Sequence, residues 1–93
     1  MADTNRKILI IEDDEILAEL LKKKIETADY EVKIALTGEE GIELVKNNPH
    51  SIGIFDYQLA NCTAEDIIEN LKVDNALIPF LILTGQGSED IAV

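Results

Sequence analysis

The chain has 93 residues, 46% of them hydrophobic, which amounts to one small domain near the lower size limit for a self-sufficient core. Nineteen acidic residues against eight basic ones give a formal charge of −11, which disfavours nucleic-acid phosphates and anionic membranes and favours cations or basic partner faces. No basic segment leads into an apolar leader, and no apolar run approaches the roughly 20 residues of a membrane span, so a soluble cytoplasmic protein with no direct nucleic-acid or membrane binding is expected.

The first element, "KILII" (7 to 11), is a short continuous apolar run, the pattern of a parallel strand covered on both faces. Four acidic residues, Glu12, Asp13, Asp14 and Glu15, stand directly behind it. The period then changes: Leu17, Leu20, Leu21, Ile25 and Ala28 recur at three- and four-residue steps, with Lys22, Lys23, Lys24 and Glu26 largely outside that stripe, which predicts a helix. "YEVKIAL" (30 to 36) alternates Val32, Ile34 and Leu36 with Glu31 and Lys33, as an edge strand with one wetter face does. Thr37 and Glu40 fit a capping box opening a second helix that carries Ile42 and Val45.

"IGIF" (52 to 55) reads as another interior strand, with Asp56 just past its end. Thr63 and Asp66 open a third helix carrying Ile67, Ile68 and Leu71, and "FLIL" (80 to 83) is a further interior strand. Cys62 has no disulfide partner and His50 gives it no catalytic or zinc spacing, so Cys62 is expected to be a free loop thiol. No Walker-type pattern is present, and "GQGSED" lacks the context of a dinucleotide fingerprint.

Strands and helices that alternate throughout predict an α/β, doubly wound parallel sheet with right-handed crossovers, in a single domain over residues 1–93. Ligands of such sheets bind beyond the carboxyl ends of the strands. Glu12 and Asp13 fall past the first strand and Asp56 past the third, so three carboxylates are expected to converge there. Their mutual repulsion is unfavourable unless a cation offsets it. Magnesium, which takes a carboxylate or two, waters and phosphate oxygens, fits this donor set better than a closed calcium cage, and the EF-hand pattern is absent. Asp14 and Glu15 are assigned instead to the positive end of the first helix.

"ILIIEDDE", "GIFDYQL" with Asp56 43 positions after Asp13, and "PFLILTG" ending in Thr84 together resemble the receiver domain of two-component response regulators, in order and in spacing, from about Lys7 onward. The resemblance implies a flavodoxin-like fold with strand order 2-1-3-4. It implies that Asp56 is the phosphoacceptor and that Glu12, Asp13, Asp56 and the backbone carbonyl of Gln58 hold Mg2+. It further implies that the Thr84 hydroxyl contacts the bound phosphoryl group. The donor would be a phosphohistidine on a sensor histidine kinase or a phosphotransfer protein, and the role would be signal relay, not catalysis on a separate substrate.

Ala60 and Ala64 stand where receivers commonly carry a proline and a glycine, which leaves the conformation of that loop open. Members of the family continue through a fourth helix, a fifth strand with an essential lysine and a fifth helix; within 93 residues this chain reads as a C-terminally truncated receiver. Strand four would then be the sheet edge, its fifth position vacant or supplied by another chain, and a homodimer covering that edge is one expectation. Two alternatives stand beside the phosphoacceptor. One is a degenerate receiver acting as a non-phosphorylated interaction module; the other is an aspartate-nucleophile phosphatase, which commonly needs a second acid where Gln58 stands.

Overall fold

The computed structural model describes residues 6–84 and the backbone of Ile91–Ala92. Its elements are β1 (Lys7–Ile11), α1 (Glu15–Glu26), β2 (Glu31–Ala35), α2 (Gly38–Lys46), β3 (Ile52–Asp56), α3 (Ala64–Val73), β4 (Phe80–Leu83) and β5 (Ile91–Ala92). The first four strands pair in parallel in the order β2-β1-β3-β4, the flavodoxin-like arrangement expected, with β2 at the edge.

β1 explains why its sequence is apolar without alternation. It is paired on both edges and covered on both faces. Leu9 and Ile11 enter the larger core with Val45 of α2, Phe55 of β3 and Ile67 and Leu71 of α3. Ile8 and Ile10 face the opposite way, into a smaller core with Ala18 of α1 and Val32 of β2. The edge strand β2 carries Glu31 and Lys33 exposed while Val32 and Ala35 are buried, so charge guards the open edge.

Two expectations about β4 are corrected. The position beside it, left vacant or for another chain in the sequence reading, is taken by β5, which pairs antiparallel through Ile82↔Ala92 and Leu83↔Ile91. Phe80 and Leu81 have no partner on that side among the described residues. Nor is "FLIL" an interior strand like β1, because all four residues are only partly buried. Phe80 and Ile82 pack on the larger core, Phe80 stacking on Phe55 at a centroid distance of 5.7 Å.

Each helix start is fixed locally by a side chain. Asp14 is the N-cap of α1, its Oδ1 accepting from the N–H groups of Ile16 and Leu17 at 3.0 and 3.1 Å, a more specific role than favouring the helix dipole. Thr37 caps α2 by accepting from Glu40 N–H at 3.1 Å. The Glu40 carboxylate reaches back to Leu36 N–H, one residue before Thr37, so the expected reciprocal box is offset by one. At α3 the box is complete: Thr63 Oγ1 accepts from Asp66 N–H, and Asp66 Oδ2 accepts from Thr63 N–H. Thr63→Ala is therefore expected to lower stability by about 1 kcal/mol, read as a shifted midpoint of urea unfolding at unchanged slope.

Candidate functional site

The parallel register sets the site. Ile11 of β1 lies opposite Phe55 of β3, so the residues that follow them, Glu12 and Asp56, leave the sheet side by side. Glu12 N–H still donates to Ala35 O at 3.0 Å, which holds its backbone in line with the sheet. Asp56 is the last residue of β3, one position earlier in the fold than expected, and is paired with Leu83 of β4. Tyr57 N–H donates to Leu83 O at 2.8 Å and Ala64 N–H to Tyr57 O at 2.8 Å, tying the strand end to the start of α3.

Glu12, Asp13 and Asp56 each offer one carboxylate oxygen, and these oxygens lie within 4.8 Å of one another. Glu12 is buried, with 2% of its surface exposed; Asp56 is partly buried and Asp13 exposed. Burial is the main cause that pushes the Glu12 carboxyl up to about 8, followed by its hydrogen bond to Asp56 and by the charges of Asp56 and Asp13. Asp56 is also raised, again chiefly by burial, with Asp13 and Asp14 adding repulsion, while the proton that Glu12 donates to it pulls the other way. Without a cation, the cluster holds one proton between Glu12 and Asp56.

This arrangement has a pH signature. In the unfolded chain Glu12 loses its proton near the usual 4.5, whereas in the fold it does so only near 8, so between those values the folded chain binds more protons and stability falls as pH rises. The expected slope is up to ~1.4 kcal/mol per pH unit across that window for a single proton. Urea unfolding in a chelator from pH 5.5 to 8 measures it, and Glu12→Gln is expected to flatten the curve.

The other residues singled out in the sequence sit around the cluster. Gln58 is exposed, two residues past Asp56, and its backbone forms an antiparallel bridge with Thr63. Thr84 is partly buried and directly follows Leu83, the partner of Asp56, so it stands at the same end of the sheet. Ala60 is exposed, but Ala64 is fully buried in the larger core as the first residue of α3, where its methyl group fills space a glycine would leave. Cys62 is a partly buried free thiol at the end of the β3–α3 loop, its Leu59 N–H to Cys62 O bond of 2.9 Å closing that loop. Burial, with Asp66 nearby, pushes the Cys62 thiol up, which suits an inert packing role. "GQGSED" lies outside the described residues. Sequence reasoning missed that Asp14, assigned to the helix alone, also adds its charge to Asp56; the unbroken acidic run was the signal. No helix among the described residues is long and apolar enough to cross a membrane.

The response regulator receiver domain model matches residues 8–93. Among curated proteins, the alkaline phosphatase synthesis transcriptional regulatory protein PhoP of Bacillus subtilis is 27% identical over 85 residues, covering 91% of this chain and 35% of that protein. The chain thus spans about a third of that relative's length. Among solved structures, the non-phosphorylated HemR receiver domain from Leptospira biflexa is 34% identical with a TM-score of 0.75, covering 88% of this chain and 66% of that one. The FixJ-N crystal structure, at 19% identity, shares the fold with a TM-score of 0.82 over 95% of this chain and 69% of that one.

Proposed function

The chain belongs to the response regulator receiver domain family, and from that premise we propose that it is a phosphoacceptor of two-component signalling, taking a phosphoryl group onto Asp56 from a phosphohistidine. The donor is a sensor histidine kinase or a phosphotransfer protein, and the chain acts in the cytoplasm as one domain over residues 1–93, without contacting nucleic acid itself. The observation that carries this reading is the approach of the Glu12, Asp13 and Asp56 oxygens to within 4.8 Å at the ends of two adjacent parallel strands.

That donor set fits a hard divalent cation, because three carboxylates forced together beside buried sheet are otherwise frustrated, Glu12 and Asp56 both being pushed above the usual carboxylate range and sharing one proton. Glu12, Asp13 and Asp56, with the backbone carbonyl of Gln58, would hold Mg2+. When bound, the ion neutralises charge on the three carboxylates and on the phosphoryl oxygens.

The chain's own part is positioning. Asp56, fixed by its pairing with Leu83 and by the Tyr57 N–H bond to Leu83 O, presents one ionised oxygen to the phosphorus. That oxygen forms the new P–O bond as the P–N bond to the donor imidazole breaks in line, and the leaving nitrogen keeps the bonding pair and takes a proton from water. Asp56 is then an acyl phosphate. No general base is needed, since the nucleophile is already a carboxylate. Thr84, one residue beyond the partner of Asp56, donates its hydroxyl hydrogen to a phosphoryl oxygen, and that contact biases the segment after β4.

Incubation with acetyl phosphate and Mg2+, followed by intact mass measurement, tests the reading. A single added phosphoryl group is expected with Mg2+ and none with a chelator in its place. No mass gain under either condition would instead point to an interaction module that keeps the fold without the chemistry.

A further inference from the structure

Ala35 is the last residue of β2, and the peptide unit that joins it to Leu36 is used at both ends. Its carbonyl, Ala35 O, accepts from Glu12 N–H at 3.0 Å. Its N–H, on Leu36, donates to Glu40 Oε1 at 3.1 Å. A trans peptide holds these two groups on opposite edges of one plane, so the unit is a rigid bridge between the end of β1 and the first turn of α2. β2 is the edge of the sheet, and on its outer side this N–H would otherwise face water.

Glu40 is itself held in place. Its N–H donates to Thr37 Oγ1, the N-cap of α2, at 3.1 Å. The next residue, Gly41, approaches Ile11 so closely that a Cβ there would sit 2.3 Å from Ile11 Cδ1. The first turn of α2 thus grips the end of β1 twice, through Gly41 against Ile11 and through the bridge from Glu40 to Glu12. A carboxylate on the N–H polarises the peptide and makes its carbonyl a stronger acceptor. Glu12 stands one residue beyond β1 with only 2% of its surface exposed, so the direction of its carboxylate follows its backbone. Tilting that backbone would carry the carboxylate away from the Asp13 and Asp56 oxygens, which lie within 4.8 Å of it.

We propose that Glu40 is a positioning residue of the acidic site: through the Ala35–Leu36 peptide it fixes the backbone of Glu12 and with it the spacing of the Glu12, Asp13 and Asp56 oxygens. Glu40 acts from α2 and is not one of the clustered carboxylates. Its exposed neighbour Glu39 shares the first turn and the charge, so a comparison of the two separates the bridge from a general effect of acidic charge at the helix start. The consequence for Mg2+ rests on the phosphoacceptor reading; the hold on Glu12 does not.

Hydrogen exchange of backbone amides in the metal-free protein, followed by a Mg2+ titration on the same samples, tests the proposal. In Glu40→Ala the Glu12 amide is expected to exchange at least about fivefold faster, while that of Ile10, inside β1, keeps its rate within about twofold. Mg2+ affinity is expected to fall at least about threefold. Glu40→Gln, whose amide oxygen can still accept from Leu36 N–H, should stay within about twofold of the unsubstituted chain in both readouts, as should Glu39→Ala. An unchanged Glu12 amide in Glu40→Ala, equal acceleration of Ile10, or effects of Glu39→Ala as large as those of Glu40→Ala would overturn the proposal. So would a faster Glu12 amide with unchanged Mg2+ affinity, since the backbone would then loosen without moving the carboxylate. An unsubstituted chain that binds no Mg2+ would count against the phosphoacceptor reading instead, and the exchange comparison alone would then decide the role of Glu40.

Discussion

Asp56→Asn is expected to reduce phosphoryl incorporation from acetyl phosphate by at least about 10^3-fold, to background, while leaving the protein folded and more stable in metal-free solution. The two effects have one cause. Asparagine keeps the shape of the side chain at the end of β3, where Asp56 is paired with Leu83, but its amide oxygen is a poor nucleophile toward phosphorus. It also removes one of three mutually repelling carboxylates, and that repulsion is part of what lifts Glu12 to about 8. Loss of uptake with a lowered midpoint of unfolding would indicate a structural role for Asp56. Asp66 supplies the matched control, because its carboxylate serves the α3 capping box; Asp66→Asn should cost some stability and leave uptake intact. Intact mass and urea unfolding on the same preparations read both quantities.

Gly41 carries the second large effect, with a sign opposite to helix propensity. It lies within α2, where replacing glycine by alanine ordinarily stabilises by ~1 kcal/mol. Here a Cβ would sit 2.3 Å from Cδ1, 2.7 Å from Cγ1 and 3.0 Å from Cγ2 of Ile11, a fully buried residue. Three atoms of one packed side chain cannot all withdraw, so α2 must lift from β1 or Ile11 must leave its rotamer. Gly41→Ala is expected to cost a net ~1–2 kcal/mol and Gly41→Val about 3 kcal/mol, large for a domain of this size. The corresponding fall in thermal midpoint is ~4–8 °C per kcal/mol. Because Ile11 precedes Glu12, the same substitutions should weaken metal-dependent phosphoryl uptake although they touch no carboxylate. A stabilised Gly41→Ala protein would show that α2 does not approach β1 this closely.

The parts of the fold legible in the sequence are those set by local periodicity. "KILII" is apolar without a break because β1 is paired on both edges and covered on both faces, and "YEVKIAL" alternates because β2 is an edge. Thr63 and Asp66 are readable because a capping box is complete within four residues. β4 was not legible: its four residues match the interior pattern, yet exposure depends on what lies beside it, and a two-residue antiparallel strand leaves no periodic signal. The offset of Glu40 to Leu36 N–H and the closeness of Gly41 to Ile11 are tertiary facts of the same kind.

For the site, residue types and strand-end positions were enough to bring Glu12, Asp13 and Asp56 together, because parallel register puts the ends of neighbouring strands at one height. What composition could not convey is their inequality. Glu12 is buried while its sequence neighbour Asp13 is exposed, and that burial is the largest cause of the raised Glu12 carboxyl. Alternation along an irregular strand end is too short to assign it in advance.

Whether these three carboxylates grip one doubly charged ion is tested most directly by titrating Mg2+ into the metal-free protein and following backbone amide signals by NMR. A single saturable site is expected, with the largest changes at residues 12, 13 and 56–58, and affinity at least tenfold weaker in Asp13→Asn. Saturation unaffected by Asp13→Asn, or shifts spread evenly over the acidic surface, would contradict it.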